Sequence, residues 1–279
     1  MQKYNQILLI AKTGHAPALA FSRMLQEWLT ARGHSSQLCI AEEFSLYGLD
    51  KRPDLAIVLG GDGTMLGVGR LIAGQDIPMI GINFGTVGFL TIADQSNWEE
   101  KLTACLNNEI PLQSRMTLSW SLTRHAALLE QGNAINDVVV SHGALARLVS
   151  VNISINNEPM GSLRCDGIIF ASPMGSSGYT ASAGGPILFS RTNAYVFTPI
   201  CPFMRSVSPM VFPANIVFRL LVEDSSIDAY LTVDGQEGYT LERGDLLTIK
   251  GETESLHVLS SDSTFFERIR TRGLVLEQI

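Results

Sequence analysis

The sequence predicts an α/β N-terminal domain with a parallel sheet, followed by a C-terminal all-β, sandwich-like domain (α+β overall). Over the first hundred residues, compact apolar runs alternate with segments of helical periodicity, which is typical of βαβ units. From about residue 111, short β-branched runs separated by turn residues replace this pattern and indicate antiparallel sheets. The length of 279 residues suits two domains better than one.

The N-terminal elements follow one another as strand, helix, strand. Pro17 suits the first turn of a helix and Gly33 its C-terminal cap, while Ser96 and Glu99 form a candidate capping box for a later helix. A crossover helix is expected over "TMLGVGRLIAG", before the fourth apolar run. The four predicted strands are "QILLIA" (6–11), "SSQLCI" (35–40), "DLAIVL" (54–59) and "IPMIGIN" (77–83).

The change of texture sets the expected domain limits. We expect an α/β domain over 1–110 and a β-rich domain over 111–261, with no Pro/Gly/Ser-rich linker between them. The tail "DSTFFERIRTRGLVLEQI" is helical in pattern, so a C-terminal helix over 262–279 is expected to rejoin the first domain.

Composition excludes several functional classes. A net charge of −7 and a pI near 5.2 predict no nucleic-acid partner, because no basic block exists to neutralise phosphates. No apolar run approaches the length of a membrane span and no signal peptide is evident, so no membrane partner is expected. Four scattered cysteines without metal-ligand spacing favour a reduced, cytoplasmic protein.

A glycine-rich turn follows the third predicted strand and contains one carboxylate, Asp62. Gly60, Gly61 and Gly63 allow positive φ and close approach of the backbone to an anion, and Thr64 is a candidate cap for the next helix. An acid beside a phosphate makes sense if it holds Mg²⁺ or accepts a proton from an attacking hydroxyl. The turn therefore predicts phosphoryl transfer; the alternative is a structural turn in which Asp62 only caps the helix.

Two familiar phosphate-binding motifs are absent. The chain has no G-x-x-x-x-G-K-[ST] sequence, and Leu66 stands where a dinucleotide fingerprint has its third glycine. Neither a Walker-type loop nor a Rossmann fingerprint is therefore expected.

The glycine turn and four later segments together resemble the bacterial NAD kinases over about residues 54–236. The resemblance is carried by "GGDGTML" followed by "IPMIGINFGTVGFL", by "AINDVVVSHG", by "CDGIIFASPMGSSGYTASAGGPI" and by "VDGQ". It implies transfer of the γ-phosphoryl of ATP, or of polyphosphate, to the 2′-hydroxyl of the adenosine ribose of NAD. It further implies a divalent metal cation such as Mg²⁺, with ligands unknown, and a homo-oligomer (tetramer or dimer).

The resemblance also implies roles for individual residues. Asp62 would accept the proton of the ribose hydroxyl, with Gly63 beside it as a nucleotide contact. The implied dinucleotide contacts are Asn136, Asp137, Arg147, Arg164, Asp166, Ser177, Gly178, Tyr179, Thr180, Ala181, Ser182 and Gln236.

Their chemistry suits that role. An Asn side chain donates and accepts, a guanidinium pairs with phosphate, and a tyrosine offers a ring face and a hydroxyl. Without the resemblance, turns, helix caps and solvated strand faces are alternative roles for the same residues. Asp234-Gly235, just before Gln236, is by itself a strong signal for a hairpin turn.

Two residues depart from the family pattern. Asp137 stands where the family usually has Glu, and Met174 where it usually has Thr. These departures leave open a dinucleotide-binding sensor without turnover. The glycine turn also occurs in other kinases, so a lipid or sugar kinase is a second alternative.

Overall fold

The computed structural model describes residues 4–46, 49, 51–85, 90–143, 148–204, 207–223, 229–260, 265–266 and 269–270. The chain forms two compact units, Met1–Arg115 with Ser255–Ile279, and Met116–Glu254. Most of the helix expected over 262–279 falls outside the described residues.

The sheet of the first unit is parallel and follows the four predicted apolar runs. Its strands lie in the order β4-β3-β1-β2, and the short strand β5 pairs with β4. Every residue of β3 and β4 is buried, as expected of parallel strands covered on both faces. The strands are β1 (Gln6–Ala11), β2 (Ser35–Ile40), β3 (Leu55–Leu59), β4 (Met79–Asn83) and β5 (Ala93–Asp94).

Within residues 4–115, the described part of this unit contains the helices α1 (Ala16–Ala31), α2 (Asp62–Ile72) and α3 (Trp98–Leu106). Pro17 lies in the first turn of α1 as predicted. Gly33 follows the C-terminus with φ of 83°, and its N–H donates to the Thr30 carbonyl at 3.0 Å. Both end signals were therefore correct.

The predicted capping box of α3 is wrong. The residue that caps α3 is Asn97, whose side-chain oxygen accepts from the N–H of Asp94. The Ser96 hydroxyl donates instead to the Asp94 carboxylate at 2.5 Å. The Ser96 hydroxyl therefore bonds to Asp94 in a local turn and does not cap the helix, contrary to the prediction from the sequence pattern.

The second unit is built from antiparallel sheets, so the predicted fold class is confirmed. One sheet has six strands in the order β13-β12-β11-β8-β15-β16, and a second set runs β10-β9-β14-β17, with β6 pairing β17 and β7. The strands are β6 (Leu112–Arg124), β7 (Ala127–Ala134), β8 (Asp137–His142), β9 (Val149–Ile155), β10 (Glu158–Cys165), β11 (Gly167–Ala171), β12 (Ala194–Ile200), β13 (Met210–Pro213), β14 (Val217–Val222), β15 (Ala229–Val233), β16 (Glu237–Leu241) and β17 (Leu246–Leu259).

Apolar side chains from both sheets form one core in the second unit. Phe170 of β11 and Phe197 of β12 meet Phe218 of β14 with ring centroids 5.0 and 5.5 Å apart. All three rings are buried, so inward-facing residues of the two sheets interdigitate as in a sandwich. Among the described residues, no helix is long and apolar enough to cross a membrane.

Candidate active site

The glycine turn leads directly from β3 into α2, and Asp62 is the first helical residue. Gly61 precedes the helix with φ of −85° and ψ of −171°, so the expected positive φ is wrong for this turn. Gly60 is required for close approach instead, because a Cβ there would lie 2.5 Å from the Thr64 hydroxyl oxygen. Thr64 lies inside the first turn of α2, so the prediction that it caps the helix is also wrong.

The Asp62 carboxylate is half-buried and held in place by the backbone. Its Oδ1 accepts a hydrogen bond from the N–H of Leu90 at 2.9 Å. It lies in the first turn of α2, where the N-terminus of the helix carries partial positive charge.

Asn83 is a polar side chain of this region that the sequence did not single out. It ends β4 and is 3% exposed. Its Oδ1 accepts from the N–H of Gly85 at 3.0 Å and would lie 3.8 Å from a Cβ at Gly61. It therefore holds the backbone that follows its own strand, β4, and lies beside the glycine turn that follows β3. Asn83 could have been identified from the sequence, because it ends a predicted strand next to the strand that leads into the glycine turn.

A second group of predicted residues meets at one edge of the six-stranded sheet, within the second unit. Ala171 pairs with Asp137, and Val233 with Val138. The end of β11, the start of β8 and the end of β15 therefore lie side by side. This register brings Asn136 and Asp137 together with the segments that carry Ser177–Ser182 and Gln236.

Asp234 organises this sheet edge, although sequence reasoning treated it only as a turn residue. Its carboxylate accepts three backbone hydrogen bonds, from Ile135 at 3.0 Å, Asn136 at 2.7 Å and Asp137 at 3.1 Å. Asp234 and Gly235 have φ of 51° and 65°, as the predicted hairpin turn requires. The turn thus fixes the backbone on which Asn136 and Asp137 are presented.

The turn after β11 packs against the same backbone. The buried Ser172 donates its hydroxyl to the Ile135 carbonyl at 2.5 Å, and its N–H bonds the Asn136 carbonyl at 2.8 Å. A Cβ at Gly175 would lie 2.2 Å from the Asn136 carbonyl oxygen. Only glycine fits at that contact, which explains one glycine of this segment physically.

The predicted dinucleotide segment begins as a short helical turn, Ser176–Thr180. Tyr179 is 48% exposed, so its ring and hydroxyl are open to a ligand. Ser177, Gly178 and Ala181 are half-buried and Ser182 is exposed. Thr180 is fully buried, and its hydroxyl has no hydrogen-bond partner within the described part of the chain.

The carboxyl of Asp137 is electrostatically unusual. Burial, and secondly the nearby charge of Asp234, raise its pKa from 3.8 to about 7. The group therefore changes charge close to neutral pH, as groups at binding and catalytic sites often do.

Two other predicted residues lie apart from this group. Arg164 and Asp166 lie at the other end of β11, where Gly167 pairs with Ser141. Asp166 bonds the Cys201 thiol, and the Arg164 guanidinium lies 5.5 Å from the ring centroid of Phe203. Arg147 lies outside the described residues.

No protein metal cage is evident in the part of the chain that the structure describes. No group of three or more His, Cys, Asp or Glu side chains there could hold a metal ion. Magnesium sites in phosphotransferases commonly need only one or two carboxylates, because substrate phosphates supply the other oxygens. The residues present fit a cation that arrives with a nucleotide.

Comparison with known proteins identifies the family. Residues 46–110 match the ATP-NAD kinase N-terminal domain and residues 135–261 the ATP-NAD kinase C-terminal domain. An NAD kinase of Nitratidesulfovibrio vulgaris (strain Miyazaki F) is 36% identical over 277 residues, covering 98% of each chain. The chain belongs to the NAD kinase family. An NAD kinase of Lawsonia intracellularis is likewise 36% identical, covering 99% of this chain and 98% of its own.

Solved structures of NAD kinase family members share the fold. A yeast NADH kinase complexed with NADH has a TM-score of 0.84 at 23% identity, covering 100% of this chain and 90% of its own. An NAD kinase from Archaeoglobus fulgidus in complex with ATP has a TM-score of 0.74 at 24% identity, covering 95% and 99%. Because both ATP-NAD kinase domains match this chain, the alternative of a lipid or sugar kinase is wrong.

Proposed function

We propose that this enzyme transfers the γ-phosphoryl group of ATP to the 2′-hydroxyl of the adenosine ribose of NAD. The observation that carries the proposal is the half-buried Asp62 carboxylate, held by the Leu90 N–H at the first turn of α2. The carboxylate is fixed beside a helix N-terminus, where a phosphate group is also favoured, so it is placed to accept a proton from an attacking hydroxyl.

In this mechanism, Asp62 accepts the proton of the ribose hydroxyl as its oxygen attacks the γ-phosphorus. The new oxygen–phosphorus bond forms while the bond to the β-phosphate oxygen breaks, and ADP leaves. Phosphoryl transfer depends mainly on positioning and on neutralising charge. The hydrogen bond from Leu90 fixes the carboxylate, so the base does not have to be oriented at the moment of reaction.

The second unit would bind the dinucleotide at the sheet edge organised by Asp234. Three backbone hydrogen bonds hold the segment that presents Asn136 and Asp137 there. Tyr179 is exposed, and Ser177, Gly178 and Ser182 are close to it in the sequence. Amide, carboxylate and phenol groups suit the hydroxyls of ribose and the edge of an adenine. Gln236, next to Gly235 in the hairpin, belongs to the same proposed site.

The divalent cation is proposed to be part of the ATP substrate. When bound with the nucleotide, it neutralises charge on the phosphate oxygens. The chain's own contribution is the acid–base group Asp62 and the backbone around Gly60–Gly63.

We further propose that Arg164 and Asp166 act on the dinucleotide bound by a second copy of the chain. They lie near the end of β11 that is opposite to Asn136 and Asp137. Within one chain, they could not contact the same ligand atoms as Asn136 and Asp137 unless β11 lost its pairing. A homo-oligomer would supply them from a neighbour. A cytoplasmic location stays a prediction.

The assay that tests this function measures NADP formation from NAD with ATP, with polyphosphate and with no donor. We expect NADP with ATP and none without a donor, and loss of turnover in EDTA that excess Mg²⁺ restores. Position-specific analysis of the product distinguishes a 2′-phosphate from a 3′-phosphate. NAD binding with no NADP at high enzyme concentration would contradict the proposal.

The role of Asp62 is tested by Asp62→Asn, which keeps the shape and the Leu90 hydrogen bond but removes the basic oxygen. We expect kcat to fall about 10²-fold or more while the affinity for NAD is retained. Asp76→Asn is the matched control, because Asp76 is an exposed carboxylate of the same unit. Equal turnover in wild type and Asp62→Asn would remove Asp62 from the mechanism.

A further inference from the structure

The parallel sheet of the first unit contains a point where chain connections diverge. From β1 the chain passes through α1 to β2, its neighbour on one side, and from β3 it passes through α2 to β4, its neighbour on the other. The two loops that leave β1 and β3 therefore separate. In open α/β sheets, ligands bind in the crevice that forms where adjacent connections diverge in this way.

One wall of this crevice is the glycine turn, and the other is the β1–α1 loop, residues 12–15. The N–H of Lys12 donates to the Leu59 carbonyl at 3.0 Å, which continues the pairing of Ala11 with Leu59. Lys12 is thereby held beside the residue that follows Leu59, which is Gly60. The β1–α1 loop has so far no part in the proposed function.

The β1–α1 loop is ordered by its own hydrogen bonds. The N–H of His15 donates to the Lys12 carbonyl at 3.4 Å, and the His15 Nδ1 caps α1 by accepting from Ala18 at 3.1 Å. On the side of β2, the Thr13 hydroxyl accepts from the N–H of Glu42 at 3.3 Å. These contacts fix the loop backbone, so a side chain on it starts from a defined position.

Charge distinguishes the two sides of the β1–α1 loop. The side toward β2 carries the exposed acids Glu42 and Glu43. On the side toward β3, the exposed Lys12 is bonded through its N–H to Leu59, and the N-terminus of α2 lies there with a single acid, Asp62. The lysine and the helix N-terminus make the space between β1 and β3 more favourable for an anion than the space next to β2. A lysine on a long stem is a common point-charge ligand for phosphate.

We propose that the β1–α1 loop forms the second wall of the phosphoryl-donor site, and that the Lys12 ammonium binds the donor phosphates. This inference rests on the proposed function, since it assigns the donor to the crevice beside Asp62. Lys12 also offsets the negative charge that Asp62 and the net charge of −7 place on the protein. It is a binding residue for the donor and has no role in holding the dinucleotide.

The test compares Lys12→Met, Lys12→Arg and the control Lys51→Met. Lys51 is an exposed lysine of the same unit that precedes β3, so it lies at the amino ends of the strands. We expect Lys12→Met to raise KM for ATP about tenfold, as loss of one charge-assisted contact would. The KM for NAD should change less than twofold, Lys12→Arg should recover most of the loss, and Lys51→Met should resemble wild type.

A binding measurement separates this inference from the proposed function. Calorimetric titration with the magnesium complex of a non-hydrolysable ATP analogue needs no turnover. We expect its dissociation constant to rise about tenfold in Lys12→Met at unchanged thermal stability. Unchanged analogue binding in an active wild-type enzyme would overturn the role of Lys12 alone, whereas a wild type that makes no NADP would overturn the proposed function.

Discussion

At the scale of single residues, Asp137 stands out because its environment opposes its charge. Burial, and then the charge of Asp234, raise its pKa to about 7. A carboxyl whose folded-state pKa is raised stabilises the fold while it is protonated. That contribution is full below the unfolded pKa of 3.8 and is lost as pH rises through about 7.

The Asp137→Asn variant removes this titration and keeps the shape of the side chain. We expect its free energy of unfolding, relative to wild type, to increase by about 2–3 kcal/mol between pH 5 and pH 8, because only wild type loses stability there. Urea unfolding at both pH values measures the difference. Glu130→Gln, at an exposed position of the same unit, should show no such trend. A pH-independent difference for Asp137→Asn would contradict the raised pKa.

The sequence indicated the candidate site residues better than it indicated the contacts that each of them makes. Asp62 was found because a carboxylate among glycines is chemically conspicuous. Asp234 was recognised as a hairpin residue, but its three hydrogen bonds to residues 135–137 join parts of the chain 97 to 99 residues apart. No local pattern contains such a contact. The prediction that Thr64 caps α2 was wrong because the helix begins two residues before it, and a capping residue must lie at that boundary.

At the scale of elements, Arg124 of β6 forms ion pairs with Glu242 and Asp245 in the turn between β16 and β17. Arg124 contacts both carboxylate oxygens of the fully buried Asp245, at 2.8 and 2.9 Å. Burial by itself would raise the pKa of Asp245. The hydrogen bonds from Arg124 and from the Glu242 N–H, with the Arg124 charge, outweigh burial, and the pKa is lowered.

Breaking this pair leaves a buried carboxylate without its guanidinium. We expect Arg124→Met to lower the free energy of unfolding by about 3–5 kcal/mol, because an uncompensated buried charge is costly. Chemical denaturation at pH 7 measures the loss. Arg243→Met, in the same turn and exposed, is the control and should change stability little. A loss below about 1 kcal/mol, the usual worth of a surface pair, would show that Asp245 finds another partner.

Elements were predicted well where one physical signal dominated. The four apolar runs of the first unit gave four parallel strands, because strands buried on both faces need continuous hydrophobic sequence. The ends of α1 followed from Pro17 and Gly33, whose backbone preferences are strong. The start of α3 was misassigned because Ser96 had two local partners to choose between, and the sequence does not rank them.

At the scale of the whole molecule, the structure divides the chain at 115/116 and 254/255, whereas the sequence pattern placed the expected limits at 110/111 and 261/262. The division at 254/255 falls inside one continuous strand, β17. Glu254 has φ of 53° there, a conformation that a glutamate seldom adopts. Nothing in the local sequence marks such a residue, since the fold around it imposes the conformation.

Arg164 and Asn136 lie near opposite ends of β11, and this placement gives a prediction about the assembled protein. If Arg164 acts on a neighbour's dinucleotide, an Asp62→Asn chain still offers a functional Arg164, and an Arg164→Glu chain still offers a functional Asp62. Each variant alone should be nearly inactive. Co-expressed, they should recover about a quarter of wild-type activity in a dimer, because half of the dimers are mixed and each mixed dimer has one complete site.

A mixture of Asp62→Asn with Asp62→Ala is the matched control and cannot recover, since every site then lacks the base. Two different affinity tags purify the mixed species, and light scattering establishes that it is an oligomer. Mixed oligomers without activity would place Arg164 outside the neighbour's site. Recovered activity would mean that Arg164 of one chain and Asn136 of another act on the same dinucleotide, because the symmetry of an oligomer can bring opposite ends of two sheets together.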